Sequence, residues 1–240
     1  PVSPAQQLSS CANSLIECGM PRHTRVARRV CALVSGGVES AALVAQLLKR
    51  GDVVHPVYIR SDFRWESAER FWLGRLLAAM AAPRLQSLTC LRASARNILS
   101  PAHWGFGGQP VPGARTPDEA VYLPGRNLVL LATASVFCAR NDISVIALGT
   151  LRGNPFPDAS PVFFSRFEKA LTSCFDRSFS IETPFRAMSK EEVLRGAVGL
   201  PWDLTFSCLS PSRSGRSPCL RCNKCEERRK ALGAVCVAAT

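Results

Sequence analysis

The chain has 240 residues, a net charge of +12 and 47% hydrophobic residues, which is typical of one sizeable globular α/β domain and excludes a disordered protein. The charge favours anionic partners such as nucleotides or RNA, although scattered basic residues also suit an ordinary solvated surface. Eleven cysteines, an odd number with four close together near the C-terminus, indicate a reduced, cytoplasmic protein with one metal site rather than a secreted disulfide protein. No apolar run is long enough to span a membrane, and we expect no signal peptide.

The first predicted strand leads into a loop of small residues. Residues 1–29 show weak periodicity and are expected to form an N-terminal arm, after which the apolar residues 30–34 predict a buried strand. A helical pattern starts at Val38, so backbone N–H groups between strand and helix are free to bind a phosphate at the positive end of the helix dipole. The predicted anion-binding loop consists of Ser35, Gly36, Gly37, Val38, Glu39 and Ser40. It has neither the dinucleotide-binding nor the Walker pattern, and a plain strand–helix turn is the alternative.

Strand and helix patterns then alternate and predict βαβ units, hence a Rossmann-like parallel sheet flanked by helices. The predicted strands are residues 53–59, 85–91, 144–149 and 178–184, and the predicted helices are residues 67–80, 128–139 and 163–175. A capping box at Ser189 and Glu192 opens one more helix. The irregular residues 94–120 indicate a lid or binding loop, in which His103 is either catalytic or a packed loop residue.

Four cysteines near the C-terminus have the spacing C-x10-C-x2-C-x2-C. They are Cys208, Cys219, Cys222 and Cys225. Four thiolates complete a tetrahedral zinc site with no open position, so we predict one structural zinc per chain. An iron–sulfur centre and metal-free thiols are the alternatives. The remaining cysteines are isolated and are expected to be packed or free thiols.

Five segments, in order along residues 30–232, resemble the 7-cyano-7-deazaguanine synthases of queuosine and archaeosine biosynthesis. These are zinc-containing members of the adenine-nucleotide α-hydrolase (PP-loop) superfamily. The five segments are similar to the family's Ser-Gly-Gly-x-Asp-Ser loop (residues 35–40), Val-Pro-Gly-Arg-Asn segment (122–127), Tyr-Pro-Asp loop (154–158), Thr-Pro-Leu and Thr-Lys pair (183–190) and zinc-binding end (206–229). The resemblance implies a nucleotide-binding α/β domain over residues 30–205 and a zinc-binding segment over residues 206–240.

The resemblance also implies the reaction. ATP, used with Mg²⁺, would activate 7-carboxy-7-deazaguanine as an acyl-adenylate, and ammonia would displace AMP to give an amide. A second adenylation would then allow elimination to the nitrile, 7-cyano-7-deazaguanine. The family further implies a homodimer.

Residue roles follow from the same resemblance. The loop at residues 35–40, with Ser35 as a catalytic residue, would hold the leaving pyrophosphate, where negative charge develops. Arg126 would contact a phosphate or the substrate carboxylate, and Lys190 would reach the α-phosphate. Asn127 and Asp158 would bind the substrate, with Asp158 accepting from N–H donors of the guanine-like edge. Ordinary helix capping is the alternative for Arg126 and Asn127, and a solvated first-turn position is the alternative for Lys190.

Some residues depart from the family pattern. Glu39 stands in place of aspartate, Phe156 in place of tyrosine, and residues 159–160 in place of Cys-Arg. These departures leave open a paralogue that adenylates a deazapurine or other carboxylate and joins it to a different amine, which a protein partner could supply. The basic charge also leaves open a tRNA-modifying enzyme of the same superfamily, and the change at Glu39 leaves open a non-catalytic nucleotide-binding zinc module.

Overall fold

The computed structural model describes residues 27–212 and 215–237 of the chain. In this part of the chain, five parallel strands form one sheet in the order β3-β2-β1-β4-β5. The strands are β1 (Arg29–Leu33), β2 (Val53–Arg60), β3 (Thr89–Arg92), β4 (Val145–Ala147) and β5 (Ser180–Glu182). The predicted Rossmann-like α/β fold is confirmed. Residues 1–26 of the predicted N-terminal arm lie outside the described part of the chain.

Helices cover both faces of the sheet. They are α1 (Val38–Lys49), α2 (Glu66–Ala79), α3 (Arg126–Arg140), α4 (Pro161–Phe175), α5 (Lys190–Gly196) and α6 (Asn223–Val237). Short 3-10 helices lie at Trp104–Phe106, Asp118–Val121, Pro157–Ala159 and Trp202–Leu204. The helices expected from apolar periodicity are present, and α5 starts with the predicted capping box between Ser189 and Glu192. Helix α6 was not among the predicted elements.

Three strands, β3, β4 and β5, are shorter than their apolar runs predict. Leu85 forms only an isolated bridge to Val54, and regular pairing of β3 with β2 starts at Thr89. Strand β4 pairs with only three residues of β1. An apolar run therefore marks a buried segment, but pairing with a neighbour decides how much of it is strand.

Alternate residues of β1 pack into two hydrophobic cores, one on each face of the sheet. Val30 and Ala32 pack in the core that contains buried residues of α1, α2 and α5. Cys31 packs on the opposite face with buried residues of α3 and α4. All three residues have 0% exposure, which explains why this central strand is apolar throughout.

The strand order reverses beside β1, since β2 and β3 lie on one side of it and β4 and β5 on the other. Ligands of open α/β sheets bind at such a point, beyond the carboxyl ends of the strands. A third hydrophobic cluster lies there and joins the irregular loop to the C-terminal segment; it includes Phe63, Trp65, Trp104, Phe206 and Cys222. Among the described helices, none combines the length and the apolar character needed to cross a membrane.

Candidate active site

The predicted anion-binding loop connects β1 to α1 and holds a tight shape. The backbone N–H of Ser35 donates to the Ser40 hydroxyl at 3.0 Å, and the two hydroxyl oxygens lie 3.3 Å apart. Gly36 has φ +87°, and a Cβ there would lie 3.3 Å from Leu73 Cβ of α2, so both backbone conformation and packing require glycine. Gly37 caps α1 without a side-chain hydrogen bond. The N–H groups of the first turn of α1 are therefore suited to an anion.

A first pocket of about 260 Å³ lies at the carboxyl ends of β1, β2 and β4. Its polar wall includes Ser35, Glu39, Arg126 and Asn127. Apolar residues from the strands and from α3 line the rest; they include Leu33, Ile59, Leu130 and Leu148. Its place at the reversal of strand order and its mixed walls suit a nucleotide.

A second pocket, also about 260 Å³, lies between α2, the irregular loop and the C-terminal segment. Its aromatic wall consists of Trp65, Trp104, Phe156 and Phe206. Its charged wall consists of Glu39, Glu69, Arg126, Lys190, Lys224 and Glu227. Ser35, Glu39 and Arg126 line both pockets. A ligand in one pocket and a ligand in the other would therefore meet beside the anion-binding loop.

Lys190 is the first residue of α5 and lies between two carboxylates. Its Nζ is 2.6 Å from Glu39 Oε1 and 2.5 Å from Glu227 Oε1, and Lys224 Nζ is 2.6 Å from Glu227 Oε2. Burial lowers the pKa of Lys190, but the charges of Glu39 and Glu227 outweigh this effect and raise it above its usual value. The side chain of Lys190 is only 11% exposed, so it is a buried, charged group beside the loop and not a solvated first-turn lysine.

The start of α3 brings three predicted site residues together in different roles. Arg126 lines both pockets, and its guanidinium carbon lies 5.5 Å from the centre of the Phe63 ring. Asn127 lines the first pocket and donates its backbone N–H to Asp158 Oδ2 at 2.8 Å. Asp158 is buried and caps α3; it is absent from the described walls of both pockets. Substrate binding by Asp158 remains a prediction.

Glu69 is a pocket residue that the sequence did not single out. It lies on α2, and the Tyr58 hydroxyl donates to its Oε2 at 2.7 Å. Burial raises the pKa of Glu69 to about 7, although the charge of Arg126 and the hydrogen bond from Tyr58 act in the opposite direction. Its spacing from the buried residues Leu73 and Leu76 places it on the same face of α2 as they are. A carboxylate on an apolar helix stripe is the sequence signal that could have identified it.

The four predicted metal ligands come together in the C-terminal segment. The sulfur atoms of Cys208, Cys219, Cys222 and Cys225 all lie within 4.8 Å of one another. Cys219 Sγ and Cys225 Sγ are 4.0 Å apart, close to the roughly 3.8 Å expected for two thiolates on tetrahedral zinc with bonds of about 2.3 Å. This separation suits one ion better than a cluster whose thiolates bind different irons.

Backbone N–H groups surround the sulfur atoms. Cys208 Sγ accepts from the N–H groups of Ser210 and Cys219 at 3.4 and 3.2 Å, and Cys222 Sγ accepts from Leu209 at 3.3 Å. Donors of this kind stabilise thiolates around a bound metal. The donor set and its geometry therefore fit zinc.

The cysteine segment is tied to the rest of the site. Phe206 donates its N–H to the Gly36 carbonyl at 2.8 Å, and Cys222 forms a bridge with Gly113 of the irregular loop. In that loop, His103 Nδ1 accepts from the Gly105 N–H at 3.0 Å and so caps a 3-10 helix. The packed interpretation of His103 therefore agrees with its position.

Comparisons with known proteins match most of the chain to one family. A family model described as "Queuosine biosynthesis protein QueC" matches residues 29–236. The "7-cyano-7-deazaguanine synthase 1" of Desulfitobacterium hafniense is 27% identical and is aligned over 85% of this chain and 91% of its own. Proteins named 7-cyano-7-deazaguanine synthase from Persephonella marina and Pseudomonas syringae are 28% and 26% identical, over 85% and 91% of this chain and 91% and 97% of their own.

Proposed function

We propose, from the premise that this chain belongs to the QueC family of queuosine biosynthesis proteins, that it converts 7-carboxy-7-deazaguanine and ammonia to 7-cyano-7-deazaguanine with ATP. One observation carries the proposal: two pockets share Ser35, Glu39 and Arg126 at the carboxyl edge of the sheet. An adenylation needs this arrangement, because an acid must approach the α-phosphorus of ATP from the side opposite the leaving pyrophosphate. Relatives aligned over nearly their full length are named for the product, 7-cyano-7-deazaguanine, which supports this choice of reaction.

In the proposed first step, a carboxylate oxygen of the acid attacks the α-phosphorus of ATP, and the bond to pyrophosphate breaks. The loop at residues 35–40 would hold the pyrophosphate through the N–H groups at the start of α1 and the hydroxyls of Ser35 and Ser40. Ammonia would then attack the acyl carbon and expel AMP, which leaves an amide. In the second cycle the amide oxygen attacks the α-phosphorus of another ATP and expels pyrophosphate, and loss of AMP then forms the nitrile, with two protons released from the nitrogen over the two steps.

Two cations would guide these steps. Arg126 lines both pockets and would bind the substrate carboxylate or an α-phosphate oxygen, since a guanidinium can donate two parallel hydrogen bonds. Lys190 would stabilise negative charge that develops at the α-phosphate. It lies beside the loop through its contact with Glu39, which supports this role.

The bound ions would have separate roles. Cys208, Cys219, Cys222 and Cys225 would hold one zinc ion that stabilises the segment at residues 206–240, because four thiolates leave no position for a substrate. Mg²⁺ would accompany ATP and neutralise phosphate charge. We propose that the nucleotide-binding domain comprises residues 30–205. Cytoplasmic localisation remains a prediction from the cysteine usage, and a homodimer remains a prediction from the family.

The test is pyrophosphate release from ATP by the zinc-loaded full chain, with 7-carboxy-7-deazaguanine and ammonium, followed by the product mass. We expect acid-dependent release and a product with the mass of the nitrile. A product that stops at the amide would limit the proposal to the first half of the reaction. Pyrophosphate release that does not depend on the acid would refute the proposed substrate.

A further inference from the structure

Glu69 is a half-buried carboxyl group that the proposed steps do not use. It lies in the first turn of α2, and its backbone carbonyl lies within 3.5 Å of the position a Cβ on Gly36 would occupy. The side chain of Glu69 lines the second pocket. Tyr58 occupies Oε2, and the described residues supply no hydrogen bond to Oε1. One carboxylate oxygen is therefore available to a ligand in the pocket.

Holding this group without a full set of partners is unfavourable for folding. Burial opposes ionisation of Glu69, and the charge of Arg126 and the hydrogen bond from Tyr58 offset this effect only in part, while the negative charge of nearby Glu66 adds to it. A leucine at this position of α2 would pack without such opposition. Carboxyl groups in these surroundings cluster at functional sites, where a ligand supplies the missing donors.

The walls of the second pocket indicate the shape of that ligand. Trp65, Trp104, Phe156 and Phe206 line it, and Trp65 and Trp104 are themselves stacked with centroids 5.5 Å apart. Aromatic side chains favour contact with another planar ring. The wall shared with the first pocket carries Arg126, which favours an acidic group on the ligand. A planar heterocycle with N–H donors and a separate carboxylate fits both the aromatic walls and Arg126.

Asp158, the acid predicted from the sequence to bind such donors, has a different environment. Its Oδ2 accepts the Asn127 N–H and so caps α3. Among the described wall residues of the second pocket, the carboxylates are Glu39, Glu69 and Glu227. Glu39 and Glu227 are both paired with Lys190. Glu69 is the one without a lysine partner among the described residues.

We infer that Glu69 is the specificity-determining residue of the second pocket, where its carboxylate accepts N–H donors from the guanine-like edge of the substrate ring. The inference rests on the proposed function for the identity of the ring. Because each hydrogen bond to a charged acceptor contributes roughly 10- to 100-fold in affinity, removing one donor from the ligand should have a measurable effect.

The test compares two ligands by isothermal titration calorimetry on the zinc-loaded full chain: 7-carboxy-7-deazaguanine and the same acid without its 2-amino group. Wild-type protein should bind the guanine-like acid about 10- to 100-fold more tightly. In Glu69→Gln, and in Glu69→Met, which has no acceptor oxygen, the ratio should fall to within about threefold of unity. Binding of the acid that lacks the amino group should change much less.

The matched control is Glu66→Gln, on the same helix. Glu66 is buried, accepts the Ser61 N–H and is absent from the described walls of the pocket, so this variant should keep the ligand preference. The inference would be overturned if the wild type did not prefer the acid that carries the 2-amino group, or if both Glu69 variants kept this preference. It would also be overturned if Asp158→Asn were the only variant to lose the preference. Selective binding without pyrophosphate release would instead refute the proposed function and leave the role of Glu69 supported.

Discussion

Replacing Glu69 with glutamine should change how the stability of the protein depends on pH. In the folded protein, burial raises the pKa of Glu69 from its usual 4.5 to about 7. Folding therefore binds a proton between these two values, and the free energy of unfolding falls as pH rises through this window. Glutamine has no proton to lose, so this pH-dependent contribution to the free energy of unfolding is absent from the variant.

The size of the effect follows from the two pKa values. A change from 4.5 to about 7 corresponds to about 3 kcal/mol once the pH exceeds both, at about 1.4 kcal/mol per pKa unit. Between pH 5 and pH 8 the difference in stability between Glu69→Gln and wild type should shift by about 2.5 kcal/mol in favour of the variant. Groups that titrate in both proteins cancel in this comparison, including the four cysteines and their metal.

Urea unfolding of both zinc-loaded proteins at pH 5, 6, 7 and 8 provides the measurement. The control is Glu119→Gln, because Glu119 is exposed and its replacement should give a difference that is nearly independent of pH. If the difference between Glu69→Gln and wild type stays constant within about 0.5 kcal/mol from pH 5 to pH 8, Glu69 does not have a raised pKa in the folded protein. The argument that a ligand must supply its missing partners would then fail.

Further predictions concern the loop, the lysine and the cysteines. Gly36→Ala should destabilise the protein by about 1–3 kcal/mol, because an L-residue is strained at φ +87°, and it should abolish ATP binding measured by calorimetry. The control is Gly37→Ala, which should unfold at nearly the wild-type urea concentration because Gly37 has φ −72°. Lys190→Met should lower kcat/KM for pyrophosphate release at least about tenfold, because the substitution leaves Glu39 unpaired beside the loop. Circular dichroism would check that the variant is folded, and unchanged kinetics would contradict the role of Lys190. Cys222→Ser should reduce bound zinc, measured by mass spectrometry of the metal, from one per chain to a small fraction and lower the melting temperature; full zinc content would exclude Cys222 as a ligand.

Local sequence patterns predicted most of the fold. The strand at residues 30–34, the loop after it and the capping box at Ser189 depend on neighbours within a few positions, so periodicity and spacing identify them. Helix α6 was missed, because its first two turns are mostly charged and lack an apolar stripe. It is held instead by contacts that sequence does not display, such as the packing of Ala231 against Val38 and Leu194.

The site was predictable only in part for the same reason. The anion-binding loop and the cysteine spacing are local signals, and the structure brings the members of each together. The pairing of Lys190 with Glu39 and Glu227 joins residues far apart in the sequence. The capping of α3 by Asp158 also depends on tertiary structure, and no spacing rule separates a carboxylate that caps a helix from one that binds a ligand.

The contacts of the C-terminal segment explain why a metal with no open position could still affect catalysis. The N–H of Phe206, two residues before Cys208, binds the carbonyl of Gly36. Glu227, two residues after Cys225, holds Lys190. The cysteines therefore lie between two direct contacts, one to the predicted anion-binding loop and one to Lys190 beside it. Loss of zinc should disorder both contacts together, so ATP binding should weaken along with folding of the segment, and the metal would be needed for activity without touching either ligand.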